Sequence, residues 1–227
     1  MKIKRWSAAQ SAAEVLRNQI TSGELPPQAR LIEADLAVGL SVSRTPLREA
    51  LKQLEAEGFA ERLPGGGLVV TDIQPEDVRD LFWLRAVLEK AVVEEVTHTI
   101  TVEQLDNLER MIDQMDLLRE HPDRFLALGR DFHEALASLL HNQRCQAVLR
   151  QARNHVDRYW AVTTARRPER VRFACAQHRE VVALMRQRAA EAAGAKMHEH
   201  VMAEAEVCLE TLAALEAEAN RSRAAAG

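Results

Sequence analysis

Apolar positions recur three and four residues apart along most of the chain, interrupted near residues 60–71 by two short runs around a glycine-rich tip. In the run SVSRTPLREALKQLEAEGF, Leu47, Ala50, Leu51 and Leu54 form a single apolar stripe and predict a helix. Pro46 suits its first turn, Ser43 or Thr45 can cap that end, and Gly58 is placed to stop it. Upstream, residues 13–20 predict a short amphipathic helix ending at Thr21, Ser22 and Gly23, followed by an extended segment through Pro26 and Pro27. Residues 33–39 predict a second helix, with Leu36 and Ala37 inward, joined to Ser43 by a tight turn. Residues 60–63 and 68–71 read as two strands around Pro64, Gly65, Gly66 and Gly67. Helix, turn, helix and hairpin together make a winged helix over roughly residues 10–73.

Beyond a linker at residues 71–75 the strand pattern disappears. The periodicity predicts six helices, roughly 76–97, 101–119, 123–141, 144–163, 168–191 and 193–220. The breaks fall at residues 98–101, where Thr101 and Gln104 make a capping box, and at 120–122, 141–142, Arg167-Pro168 and near Gly194. Phe82, Leu84, Leu88, Val92 and Val96, with Leu136, Leu139 and Leu140, supply the apolar faces of a bundle. Residues 220–227 read as a frayed end. The fold class is therefore mostly α: a winged helix-turn-helix followed by an antiparallel all-helical bundle.

Composition adds limits. The chain has 227 residues, 47% of them hydrophobic, enough for two cores. Its net charge of −4 gives no bulk attraction to nucleic acid, so any DNA contact rests on local placement. That placement exists in the helix beginning at Arg44. Arg44, Thr45 and Arg48 lie at its start and off the stripe, while Glu49, Glu55 and Glu57 fall later. A helix entering the major groove with its N-terminus needs donors there and acids held back from phosphate. Lys2, Lys4 and Arg5 form a basic arm at the chain start. No apolar run approaches the ~20 residues of a membrane span, and no signal-peptide core is evident. Cys145, Cys175 and Cys208, odd in number and without paired spacing, read as reduced thiols of a cytoplasmic protein.

Three histidines sit on apolar stripes of three helices. His133 shares one with Leu136, Ala137 and Leu140, His178 with Cys175, Val181 and Met185, and His200 with Met197 and Val207. Imidazoles converging inside a bundle suit zinc, nickel or a similar divalent ion. His133-Glu134 is not part of an HExxH motif, so a zinc enzyme is disfavoured.

The motifs IxSGELPP, RLIEADLA and VSRTPLREALKQLEAEG, with a glycine before LVV, resemble the DNA-binding domain of the GntR family of bacterial transcription regulators. Gln28 departs from the glycine usual in that family. Leu84-Arg85 with Glu89, Asp131-Phe132-His133, Asn142, Gln177-His178-Arg179 and His200 resemble the FCD effector domain of its FadR-type subfamily, in the six-helix, VanR-like form. The resemblance implies a DNA-binding domain at residues 1–73 and an effector-binding, dimerisation domain at 74–227. It implies DNA contacts from Arg30, Ser43, Arg44, Thr45, Arg48, Gly66 and Gly67. It also implies a homodimer on a palindromic operator, a small carboxylate effector, and repression as the default sign.

For the helical domain the resemblance implies effector contacts from Arg85, His133, Asn142, His178 and His200, and one divalent metal on His133, His178 and His200. Arg85 can instead pair with Glu89, Asn142 can cap a turn, and His198 can substitute for His200. Metal-binding members of that family add a carboxylate four residues before the first histidine, and here that position is Gly129. Asp131 points about 200° away around the helix and cannot replace it. Two forms follow: a three-histidine metal centre completed by water or effector, or a metal-free pocket whose histidines touch ligand. A metal sensor with no organic effector is the alternative function.

Overall fold

The computed structural model describes residues 7–163 and 170–226 and divides into two compact units between Ile73 and Gln74. Lys2, Lys4 and Arg5, and the break expected at Arg167-Pro168, lie outside the described residues.

In the first unit, α1 (Ala8–Thr21), α2 (Glu33–Gly39) and α3 (Arg44–Ala56) precede β1 (Ala60–Arg62) and β2 (Leu68–Val70). The first helix begins five residues earlier than its apolar stripe, because Ser7 and Gln10 close a capping box there. Leu16 and Ile20 of α1 pack on Leu47, Leu51 and Leu54 of α3, and Phe59, Leu68 and Val70 complete the core. The strands pair antiparallel, Ala60 with Val70 and Arg62 with Leu68. Arg30 forms an isolated bridge to Val69, and backbone hydrogen bonds of Gln28, Ala29 and Leu31 to Val70 and Leu68 hold the segment after the two prolines along the hairpin.

Two local features bear on expectations. Ser43 is the N-cap residue of α3, but neither its hydroxyl nor that of Thr45 makes a capping bond. Gln28 takes the left-handed conformation, φ 65°, that glycine would adopt more cheaply, and its N–H donates to the Val70 carbonyl at 2.9 Å. Arg17 is buried and forks onto both carboxylate oxygens of Glu57, tying α1 to the turn that closes α3.

The second unit contains α4 (Pro75–Thr99), α5 (Val102–Leu117), α6 (Pro122–Leu139), α7 (Gln143–Thr163), α8 (Arg170–Arg186) and α9 (Ala190–Ala226). Helix α4 packs most extensively on α9 and also touches α6, α7 and α8, which makes it the centre of the bundle. Phe82, Ala86, Val92, Val93 and Val96 form its buried faces. The capping box of Thr101 and Gln104 forms, with both bonds present.

The break near Gly194 does not exist. Helix α8 ends instead at Arg186, and Arg188 adopts φ 61° without being glycine or asparagine. Its guanidinium donates to the carbonyls of Thr97 (2.5 Å) and Ile100 (2.8 Å), satisfying the acceptors left at the end of α4. That tertiary contact sets the turn, and no local turn residue announces it. Gly194 lies within α9, where a Cβ would stand 2.4 Å from Cγ of Glu94. This glycine permits a close helix crossing rather than a stop. Nor does α9 fray at residue 220: an alanine-rich segment carries it to Ala226.

A recognition helix and a buried histidine cluster

In the first unit, burial of Leu47, Ala50, Leu51 and Leu54 turns Arg44, Thr45 and Arg48 of α3 to solvent. Arg30, Arg48, Lys52, Arg62, Gly66 and Gly67 line one groove between α3 and the hairpin. The glycine tip is demanded by the backbone, with Gly66 at φ 88° and Gly67 at φ 97°, and not by crowding. Arg48 Nε lies 2.8 Å from Glu33 Oε2 and Arg62 Nε 2.9 Å from Glu55 Oε1. Such exposed pairs are worth under about 1 kcal/mol, so a phosphate or base edge can draw these cations away. Lys52 and Arg62 escaped the sequence reading. Lys52 lies one turn past Arg48 on α3, which was a usable signal, whereas the approach of Arg62 depends on the hairpin.

In the second unit, α6, α8 and α9 bring His133, His178 and His200 together, each no more than 2% exposed. The Nε2 atom of His178 stands 3.3 Å from that of His133 and 3.0 Å from that of His200. An ion with bonds of about 2.0–2.1 Å separates neighbouring ligand nitrogens by about 2.9–3.4 Å, from octahedral to tetrahedral angles. The two separations from His178 fall in that range, and one ligand nitrogen from each of the three rings lies within 4.8 Å of the others. His200, not His198, is the member from α9.

The outward nitrogens are held by groups suited to orienting ligands. His133 Nδ1 lies 2.5 Å from Glu89 Oε2, and His200 Nδ1 lies 3.0 Å from Gln177 Oε1. Burial alone would raise the Glu89 pKa, but His133, Arg85 and Arg153 outweigh it and hold the carboxyl well below the usual range. Burial, opposed by Glu89, lowers His133. Burial together with the other two imidazoles pushes His178 far below its ordinary value. Neutral rings are what a metal requires.

Arg85 is buried among these groups. Its Nε lies 3.0 Å from Glu89 Oε1 and its Nη1 3.5 Å from Glu204 Oε2, so its guanidinium joins the buried Glu89 carboxylate to the partly buried one of Glu204. Arg153 lies behind His133, donating to its backbone carbonyl at 3.0 Å, and nothing in the sequence pattern pointed to it. Asn142 stands apart from the cluster, exposed, and caps α7 by accepting from the Cys145 N–H at 3.0 Å. Where Gly129 lacks a side chain, a Cβ would meet the Met115 methyl at 3.5 Å and the Trp160 ring at 3.9 Å.

A winged helix with a cation-lined groove, joined to a helical unit with a buried histidine cluster, defines a transcription regulator of two units. Residues 8–70 match the model of bacterial regulatory proteins of the gntR family, and residues 80–203 match the FCD domain. The chain belongs to the GntR family of transcription regulators, in its FCD-containing branch. It is 33% identical over 170 residues to an HTH-type transcriptional regulator of Streptomyces ambofaciens, covering 73% of this chain and 70% of that one. It is 27% identical to the HTH-type transcriptional repressor RspR of Escherichia coli (strain K12), over 85% of each chain. A GntR transcriptional regulator from Rhodococcus sp. RHA1 has the same fold, with TM-score 0.73 and 26% identity over 89% of this chain and 98% of that one. These families and relatives are regulators and not enzymes. Among the described residues no helix is long and apolar enough to cross a membrane.

Proposed function

We propose that this chain is a homodimeric, effector-responsive repressor working in the cytoplasm on a palindromic operator. The observation that carries the reading is the exposed start of α3 beside the hairpin groove, where Arg44, Thr45 and Arg48 reach bases and nearby phosphates. Ser43 and Arg30 add backbone contacts, and Gly66 and Gly67 let the wing tip approach the minor groove. Two copies related by two-fold symmetry would read two half-sites about one helical turn apart. Repression is favoured by the likeness to RspR.

The approach of His178 Nε2 to the Nε2 atoms of His133 and His200, and the carboxylate and amide behind two of the rings, favour a divalent metal such as zinc or nickel on His133, His178 and His200. A small organic acid would take an open position on that ion, and its preference for one dimer arrangement would change operator affinity. A tenfold change requires about 1.4 kcal/mol of differential binding. In this reading Arg85 positions Glu89 and Glu204, and Asn142 serves the start of α7. The close burial of all three imidazoles supports a second reading, a metal sensor without organic effector.

The test is selection of binding sites by the full chain from a randomised duplex library, followed by footprinting. An inverted repeat is expected, and absence of any enriched sequence overturns the reading. Adding zinc or nickel alone, then a panel of carboxylates, separates the two forms: release by metal alone marks the sensor. A reporter downstream of the selected site reads the sign.

A further inference from the structure

The cluster holds more hydrogen-bond acceptors than donors. His133 Nδ1 faces the Glu89 carboxylate, so Nδ1 carries the proton and Nε2 presents a lone pair. His200 Nδ1 faces the Gln177 amide oxygen, which places its proton there and leaves its Nε2 bare as well. His178 Nε2 lies within reach of both and can satisfy only one of them with a single N–H, while its Nδ1 has no partner. Into this group of acceptors comes another. Oε1 of Glu204 stands 3.3 Å from His200 Nε2, an acceptor facing an acceptor. Two lone pairs at that distance repel unless a proton or a metal cation lies between them, and only the metal also answers the bare nitrogen of His133.

Glu204 is four residues after His200, so both side chains leave α9 on one face, stacked one turn apart. Its other oxygen, Oε2, makes no hydrogen bond and lies 3.5 Å from Arg85 Nη1, which turns the carboxylate toward the cluster. On α6, where a carboxylate would otherwise be sought, Gly129 offers no donor, and its open side faces the Met115 methyl and Trp160 ring.

We propose that Glu204 of α9 supplies the carboxylate ligand of a divalent transition-metal centre whose other ligands are the Nε2 atoms of His133, His178 and His200. The centre is a three-nitrogen, one-oxygen set in which the carboxylate comes from the helix of the last histidine and not that of the first. This assignment rests on the metal reading above.

The experiment uses the full chain, stripped with a chelator and titrated with Co(II), following the visible ligand-field bands and the affinity by chelator competition. Wild type is expected to bind one equivalent, and His178→Ala to bind none. Glu204→Gln is expected to weaken binding at least about tenfold to a hundredfold, the loss already typical of groups that only support ligands, and to change the band pattern. Glu204→His, which restores a donor but not a partner for Arg85, is expected to recover binding with a shifted spectrum. Far-ultraviolet circular dichroism reports folding of each variant, and Glu204→His decides the matter if Glu204→Gln is unfolded. Wild-type affinity and bands in Glu204→Gln, or no recovery in a folded Glu204→His, overturn the Glu204 assignment alone. A wild-type chain that binds no Co(II), Zn(II) or Ni(II) overturns the metal reading and this assignment with it.

Discussion

Glu89 Oε2 and His133 Nδ1 meet at 2.5 Å across α4 and α6, a carboxylate and a ring that lie 44 residues apart in the chain. The bond selects the tautomer of His133 and makes its inward nitrogen a stronger donor. Glu89→Gln keeps an acceptor but removes the charge. Metal affinity, by competition with a chelator, is expected to fall about tenfold or more. An unchanged affinity would show that the carboxylate serves only Arg85.

Arg48 and Arg30 are expected to act differently on DNA. Arg48→Ala, at a position proposed to read a base, should cost about 1–3 kcal/mol on the selected site and relax preference at one base pair. Arg30→Ala should weaken binding evenly across sequences and reduce the salt slope by about one. Fluorescence anisotropy at several salt concentrations, on selected and scrambled duplexes, reads both.

Gln28 occupies a left-handed position at φ 65°. A non-glycine residue there carries roughly 1–2 kcal/mol of strain, part of which glycine returns as greater freedom when unfolded. Gln28→Gly is expected to raise stability by about 0.5–1 kcal/mol in urea titration. A lower midpoint would mean that the Gln28 side chain contributes more than its backbone costs.

Gly194→Ala forces Glu94 to move, because the new Cβ would stand 2.4 Å from its Cγ. In the background of Glu94→Ala that obstacle is gone, and Gly194→Ala should stabilise by about 0.5–1 kcal/mol through helix propensity. With Glu94 present the gain should shrink or reverse. Equal effects in the two backgrounds would remove the close crossing from the account of this glycine.

The seam between α5 and α8 is held by Arg179 on Asp113 and Asp116, and by Arg186 on Asp106 and Glu109. Burial works to raise the Asp116 pKa, but hydrogen bonds from Arg119 and Arg179 outweigh it and lower the value. The unfolded chain therefore binds this proton more readily. The contribution is full above the ordinary aspartate value of about 3.9 and disappears as pH falls through the lowered folded one. The melting temperature should drop below about pH 4, and Asp116→Asn should flatten that drop. An identical pH profile in the variant would place the acid sensitivity elsewhere.

Much of this was legible in one dimension. Helical periodicity tells which residues face inward, so the stripe of α3 exposed Arg44, Thr45 and Arg48 by elimination, and three histidines on apolar stripes had to enter a core. Glycine, proline and the capping boxes marked most element ends because those signals are local, and α2 and the Thr101 cap formed where they pointed. What periodicity lacks is the height of one helix against another. Whether His178 meets His133 and His200 at 3.0–3.3 Å, and whether Glu89 or Glu204 stands beside them, depends on how four helices align. The same holds for Arg188, whose unusual backbone is compensated by carbonyls of α4 some ninety residues earlier, and for Gly194, which reads as a stop and acts as a contact. Local sequence determined the faces and most ends of the elements. Packing determined which faces meet, because close-packed side chains choose one alignment out of many that the period allows.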